Sequence, residues 1–215
     1  MTLRIACFAL CLAAQPAAAQ VFWQPPDFHG APIVPGETGI GVALPGATAE
    51  EERAAIAWQM RSGLNVAALQ CQFDPLLLTR DSYNGLLMNH RDELAQSYGR
   101  LGGYFKRTYP TAKAAQTALD QYGTKTYTGF STVRAQLSFC QTASGIARGA
   151  MFTPRGSFTI FAVERLRELR NGLVQGGEQA FRFGPPRVNP PPLPSFDNKC
   201  WTSKNVYKVK CGYPA

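Results

Sequence analysis

The segment TAEEERAAIAWQMRSGLNVAALQC, residues 48–71, predicts a long helix around which the fold is built. Thr48 followed by Glu51 forms a capping box, which satisfies free backbone N–H groups where a helix begins. The acidic run after Ala49 also favours a helix start, because the helix dipole is positive at that end. Apolar or small residues then recur in steps of three and four, at Ile56, Met60, Leu64, Ala67 and Cys71. This spacing places Cys71 on the buried face.

Helical patterns continue after this segment. Asp74 ends the first helix, because a residue that precedes proline is pushed out of the α region. Further helices are predicted at about 79–109, from Thr111 to about Tyr122, from Ser131 onward, and at about 158–173. Gly99, Gly102 and Gly103 predict a kink or a close helix contact in the second helix. We therefore expect an all-α bundle of four or five helices over residues 47–174.

The first 19 residues have the pattern of a secretory signal peptide. Arg4 is followed by an apolar run, and small residues at 17–19 predict cleavage before Gln20. The apolar run is too short to cross a bilayer, and no later segment reaches the necessary length. We therefore expect an exported mature chain without a transmembrane segment, in the periplasm or outside the cell.

Three segments flank or follow the predicted bundle. Residues 20–46 are rich in Pro and Gly and show no sustained period, which predicts an irregular arm. Residues 175–198 contain FGPPRVNPPPLP, which is typical of a stiff proline-rich linker. Residues 199–215 contain VYKV, which alternates as a strand does, between two cysteines. We expect this tail to form a small hairpin closed by a disulfide.

Four cysteines remain once Cys7 and Cys11 leave with the signal peptide, and an even number in an exported chain indicates two disulfides. Cys140 lies on the apolar face of its predicted helix, as Cys71 does on its own, so the two can meet within one bundle. The other two bracket a short turn and can close on each other. We therefore favour the pairs Cys71–Cys140 and Cys200–Cys211, with the two other pairings still open.

The chain is basic, with a net charge of +8, or +7 once Arg4 is removed and 21 basic residues face 14 acidic ones. The tail concentrates this charge among aromatic residues. Cations beside aromatic faces suit anionic glycans, lipid headgroups or single-stranded nucleic acid, although lysines also protect an exposed strand edge from pairing. The candidate binding residues are Lys199, Trp201, Lys204, Tyr207, Lys208 and Lys210.

No catalytic set can be assembled from the sequence. The mature chain has only His29 and His90, too few with its paired cysteines for a zinc site, and GxSxG and phosphate-binding glycine motifs are absent. We expect no metal and no cofactor. His90 stands among leucines at helical spacing, which favours a hydrogen-bonded core residue. The alternative is an enzyme acting on cell-wall or exported substrates, with a site around His90 and Glu93.

Four segments together resemble a group of uncharacterised exported helical proteins of Gram-negative bacteria. They are GLNVAALQCQF (63–73), YNGLLMNHRDEL (83–94), GFSTVRAQLSFCQT (129–142) and LRELRNGL (166–173). The resemblance covers about residues 47–174 and includes neither the linker nor the second cysteine pair. It implies a Gram-negative, exported location and a bundle that contains Cys71 and Cys140. It implies no activity, ligand or catalytic residue.

These observations together favour a non-catalytic periplasmic or envelope-associated protein. The absence of a catalytic set and the basic, aromatic tail carry this hypothesis. We expect it to act through contacts with envelope proteins or anionic envelope polymers, and we do not expect nucleic acid as a partner.

Overall fold

The computed structural model describes residues 26–131, 135–175, 195 and 197–212. Within these residues there are six α-helices and no β-strand: α1 (Ala49–Gln70), α2 (Thr79–Asn89), α3 (Arg91–Thr108), α4 (Ala112–Thr128), α5 (Gln136–Phe152) and α6 (Phe158–Asn171). The all-α prediction is confirmed, although the described residues contain six helices where four or five were expected. The predicted signal peptide (1–19) and most of the predicted linker (175–198) lie outside the described residues.

Helix α1 is the centre of the fold and contacts each of the other five helices. It begins as the sequence predicts, because Thr48 accepts a hydrogen bond from the backbone N–H of Glu51 and the Glu51 carboxylate accepts one from the N–H of Thr48. The main core lies between α1, α2, α5 and α6. A second apolar cluster joins α1 to α3 and α4. The bundle therefore has two cores that share one helix.

The predicted helix over 79–109 is divided at His90 into α2 and α3. His90 ends α2 and precedes α3 with φ −111° and ψ 19°, and its backbone N–H still donates to the carbonyl of Leu86. The break lets α2 pack on α5 while α3 packs on α4. No Pro or Gly stands at this position, so the sequence pattern carried no signal of it. Contacts of the His90 side chain with other helices stabilise the break.

The glycines of α3 do not make the close helix contact predicted for them. The helix runs without interruption from Arg91 to Thr108, and no atom lies within 4 Å of the position of an added Cβ at Gly99, Gly102 or Gly103. The prediction of a close helix contact there is wrong, and the kink stays a prediction.

The Cys71–Cys140 disulfide joins the C-terminal end of α1 to α5, with the two Cα atoms 5.5 Å apart. Both cysteines are fully buried in the main core, as the apolar faces of their helices predict. The bridge spans 69 residues, and on the chain-entropy model a loop of this length stabilises the fold by about 4 kcal/mol.

The described part of the arm, residues 26–46, packs along the helical body. Ile33 is buried and its N–H donates to the carbonyl of Val163 in α6. Arg167 in α6 donates to the carbonyl of Ala31 at 2.7 Å. Further along, Tyr104 in α3 donates to the carbonyl of Pro45. The arm is irregular, as predicted, but side chains of the body satisfy several of its backbone groups.

Candidate functional site

The C-terminal tail is a short loop closed by the Cys200–Cys211 disulfide. Trp201 and Tyr207 form a single antiparallel bridge, and their rings meet edge to face at 5.2 Å. A turn around Asn205, which has φ 58°, connects them. The segment 209–211 is a 3-10 turn. The described tail thus contains one bridge pair and not the hairpin strands that VYKV predicts.

The lysines of the tail differ in how they are held. Lys208 donates from Nζ to the carbonyl of Lys199 at 3.0 Å. The side chain of Lys199 is 90% exposed and lies 3.9 Å from Asp197. Lys204 and Lys210 are exposed, and neither pairs with a carboxylate among the described residues. The loop therefore presents positive charge around a fixed aromatic pair.

His90 is buried, with 1% of its surface exposed, and it contacts the body through both ring nitrogens. Nε2 lies 2.9 Å from the carbonyl oxygen of Ala150, and Nδ1 lies 3.1 Å from the Glu93 carboxylate. The ring also packs on Phe158 with centroids 5.1 Å apart. These contacts fasten the α2–α3 break to α5 and α6.

The carboxylate of Glu93 caps the N-terminal end of α6. It accepts hydrogen bonds from the backbone N–H groups of Gly156, Phe158 and Thr159, at 2.9, 3.2 and 3.4 Å. The residue that precedes α6, Ser157, makes no side-chain cap of its own. A carboxylate at this end of a helix satisfies unpaired donors and complements the helix dipole. Protein contacts thus occupy both His90 and Glu93.

A groove of about 680 Å³ lies beside the α2–α3 break. Its walls come from α1, α2, α3 and the loop before α6. The lining is mainly apolar and aromatic, with three arginines and one aspartate: Trp58, Arg61, Leu87, Met88, Asn89, Arg91, Asp92, Leu94, Ala95, Tyr98 and Arg155. The formal charge of this lining is +2, from three arginines and Asp92. The tail was the surface predicted from sequence, and this groove was not.

Arg61 lines the groove and is half-buried. Its guanidinium carbon is 4.9 Å from the ring centroid of Trp58 and 5.8 Å from that of Tyr83. Nη1 donates to the hydroxyl of Tyr127. No carboxylate among the described residues lies within ion-pair distance of Arg61. Aromatic rings therefore hold its charge in place without neutralising it.

Tyr83 adds a second unsatisfied group beside Arg61. It is 5% exposed, and its hydroxyl makes no hydrogen bond with any described residue. Burial raises the pKa of Tyr83 to about 12. A buried hydroxyl without a partner is uncommon in folded proteins. The polar groups on this side of α1 are thus incompletely satisfied by the protein.

The other two arginines stand at the rim. Arg155 donates to the Asn89 side chain at 3.1 Å, and Asn89 donates in turn to the carbonyl of Thr153 at 2.9 Å. This chain of bonds orients Arg155. Arg91 lies 3.5 Å from Asp92, and both side chains are more than 80% exposed. An ion pair this exposed contributes little to stability.

The sequence contained one signal for this groove. Trp58 and Arg61 are three residues apart on α1, so they are neighbours on the helix surface. Neither belongs to the apolar stripe that Met60 and Leu64 define. A tryptophan outside the stripe, followed by an arginine at helical spacing, marks a second face of α1. The partners on α2 and α3 depend on the break at His90, which the sequence pattern did not reveal.

The described residues offer neither a metal site nor a membrane span. The described residues contain no group of three or more His, Cys, Asp and Glu side chains arranged to hold a metal ion. None of the described helices is both long and apolar enough to cross a membrane.

Comparison with protein-family models, with curated proteins and with solved structures finds no match to this chain.

Proposed function

We propose that the chain is a non-catalytic exported protein that binds anionic polymers of the bacterial envelope. The observation that carries the proposal is the disulfide-closed tail. It holds exposed lysines around the Trp201–Tyr207 pair, and cations beside aromatic faces suit anionic polymers. The signal-peptide pattern and the resemblance to exported Gram-negative proteins support a periplasmic or envelope-associated location.

The arrangement of the tail supports binding through charge. Lys204 and Lys210 form no ion pair with a carboxylate among the described residues, so both can bind an anion. The disulfide restricts the conformations of the loop, which lowers the entropy cost of ordering the loop on a partner. A net charge of +8 adds long-range attraction toward a negative surface.

Retention of the mature protein on purified envelope material tests this proposal. Changing Lys204, Lys208 and Lys210 to Glu should abolish retention, and raising the salt concentration should weaken retention of the unchanged protein, because exposed charges are screened. The matched control reverses three exposed basic residues of the body, Lys113, Lys125 and Arg148. It changes the net charge equally and should bind better than the tail variant. Equal retention of both variants would remove the tail from the proposal.

The competing hypothesis is an enzyme with a site around His90 and Glu93. His90 is buried and Glu93 caps α6, so each side chain already has a structural role. Neither side chain lines the groove beside the α2–α3 break. The geometry therefore favours the binding function.

A further inference from the structure

The groove beside the α2–α3 break has features of a small-molecule site that are independent of the tail. Binding pockets are commonly apolar, with a few polar groups that fix the orientation of the ligand. Here Leu87, Met88 and Leu94 supply apolar surface, and Arg61 and Arg155 supply charge. The volume of about 680 Å³ lies within the usual range for such sites.

Arg61 is the group most suited to bind an anion in this groove. The rings of Trp58 and Tyr83 lie against its guanidinium, so it loses little conformational freedom when a ligand arrives. Only one of its N–H groups donates to a described residue, the hydroxyl of Tyr127. The guanidinium presents donors in a planar fork that matches the oxygens of a phosphate.

The charges around Arg61 indicate what the ligand carries. Three arginines and Asp92 give the groove a formal charge of +2. A phosphate monoester carries a charge between about −1.5 and −2 near pH 7, so it matches this groove. The apolar lining, including the exposed Met88, matches an alkyl or acyl group attached to that phosphate.

We propose that this groove binds an amphiphilic phosphate monoester, with the phosphate on Arg61 and Arg155 and the apolar group on Met88, Leu94 and Tyr98. This binding site goes beyond the polymer contacts of the tail, since the two surfaces share no residue. It assigns a second ligand class to the chain.

Calorimetric titration of the full mature protein with octyl phosphate tests the proposal. Inorganic phosphate and octyl glucoside serve as probes for each half of the ligand alone. We expect saturable binding of octyl phosphate, and affinities at least about tenfold weaker for each of the other two, because each lacks one set of contacts. Octyl phosphate that binds no more tightly than either probe would overturn the proposal.

Two variants at Met88 separate binding from folding. Met88 is 80% exposed, so Met88→Glu and Met88→Lys should both leave the fold intact. Both substitutions remove the apolar contact of Met88, but only the glutamate adds a negative charge to the groove, so octyl phosphate should bind at least about tenfold more weakly to Met88→Glu than to Met88→Lys. Equal affinities for the two variants would show that the charge of the groove is not involved, which contradicts the proposal.

Arg61→Gln tests the anchoring group, with Arg80→Gln as its control. Arg80 is an exposed arginine of α2 that lies outside the groove lining. Loss of Arg61 should lower affinity by about tenfold, the effect of losing one charge-assisted hydrogen bond, and loss of Arg80 should not. Unchanged binding by the folded Arg61 variant would overturn the assignment. If the Arg61 variant is less stable than the unchanged protein, the comparison of the two Met88 variants tests the proposal instead.

The tail variant distinguishes this proposal from the polymer-binding function. The protein with Lys204, Lys208 and Lys210 changed to Glu should bind octyl phosphate as the unchanged protein does, even when it no longer binds envelope material. Conversely, Met88→Glu should still be retained on envelope material. Loss of octyl phosphate binding in the tail variant would indicate attraction by net charge only and would contradict a defined site.

Discussion

Two polar clusters lie beside the α2–α3 break, and they differ in how their charges are satisfied. In the first cluster, both ring nitrogens of His90 lie near oxygen acceptors, and the Glu93 carboxylate accepts three backbone N–H groups. In the groove, Arg61 has aromatic neighbours, and no carboxylate of the described residues lies within ion-pair distance of it. Even the adjacent residues Asp92 and Glu93 belong to different clusters. The first cluster serves the fold, and the groove is available to a ligand.

The largest effect expected from this comparison is on stability. Glu93→Gln keeps the size of the side chain but removes the charge that caps α6 and faces His90. We expect the free energy of unfolding to fall by about 2–3 kcal/mol, the usual range for hydrogen bonds to a charged group that is lost from a partly buried site. Urea denaturation followed by circular dichroism measures this change.

The adjacent carboxylate provides the matched control. Asp92 is 86% exposed and lies at the rim of the groove, so Asp92→Asn should change stability by no more than about 0.5 kcal/mol. If both variants destabilise equally, the division into a structural cluster and an open one is wrong.

A smaller effect is expected at alkaline pH. Tyr122 lies in the core between α1, α3 and α4, and burial raises its pKa from 10.0 to about 12. Its hydroxyl accepts a hydrogen bond from Gln59 at 3.3 Å. Because the folded state keeps this proton to a higher pH than the unfolded chain does, the contribution of Tyr122 to stability is present below pH 10 and is lost as the pH approaches 12.

Between pH 9 and pH 11 this linkage should lower the free energy of unfolding by about 1 kcal/mol for Tyr122. Urea titrations at several pH values give the slope, and Tyr122→Phe should reduce it. An unchanged slope in that variant would assign the alkaline sensitivity to other groups.

The smallest effect separates two buried tyrosines. Tyr122→Phe removes a hydroxyl that has a partner and should cost about 1 kcal/mol at neutral pH. Tyr83→Phe removes a hydroxyl without a partner among the described residues, so stability should stay the same or rise by less than about 1 kcal/mol. Thermal denaturation of both variants measures the difference. A clear loss of stability in the Tyr83 variant would mean that its hydroxyl already takes part in the fold.

Features that depend on nearby residues could be predicted from the sequence. The Thr48–Glu51 capping box lies within four residues, and the stripe that includes Cys71 repeats along one helix. The apolar position of Cys140 on its own helix was enough to indicate the pair that the structure contains. In each case, the spacing along a single helix contained the information.

The break at His90 could not be predicted in this way. The break depends on the contact of His90 with the carbonyl of Ala150, which is 60 residues away along the chain. It also depends on the hydrogen bond that Glu93 accepts from the start of α6. The groove depends on this break, since it joins a face of α1 to residues on both sides of His90. The hairpin expected at 199–215 is not confirmed: the described tail has a turn and one antiparallel bridge pair, Trp201 and Tyr207, but no strand. Alternation in VYKV favours a strand, but a loop closed by Cys200 and Cys211 leaves room for one bridge pair.

The central position of α1 has a consequence for how the protein opens. Because all five other helices contact α1, neither core can separate from the other without exposing part of that helix. Local opening of one half therefore costs nearly as much as global unfolding, and the body should behave as one cooperative unit. Amide hydrogens in the middle of α1 should exchange with solvent only through global unfolding. Those of the tail loop, in which Cys200 is the one buried side chain among those that the structure describes, should exchange much faster.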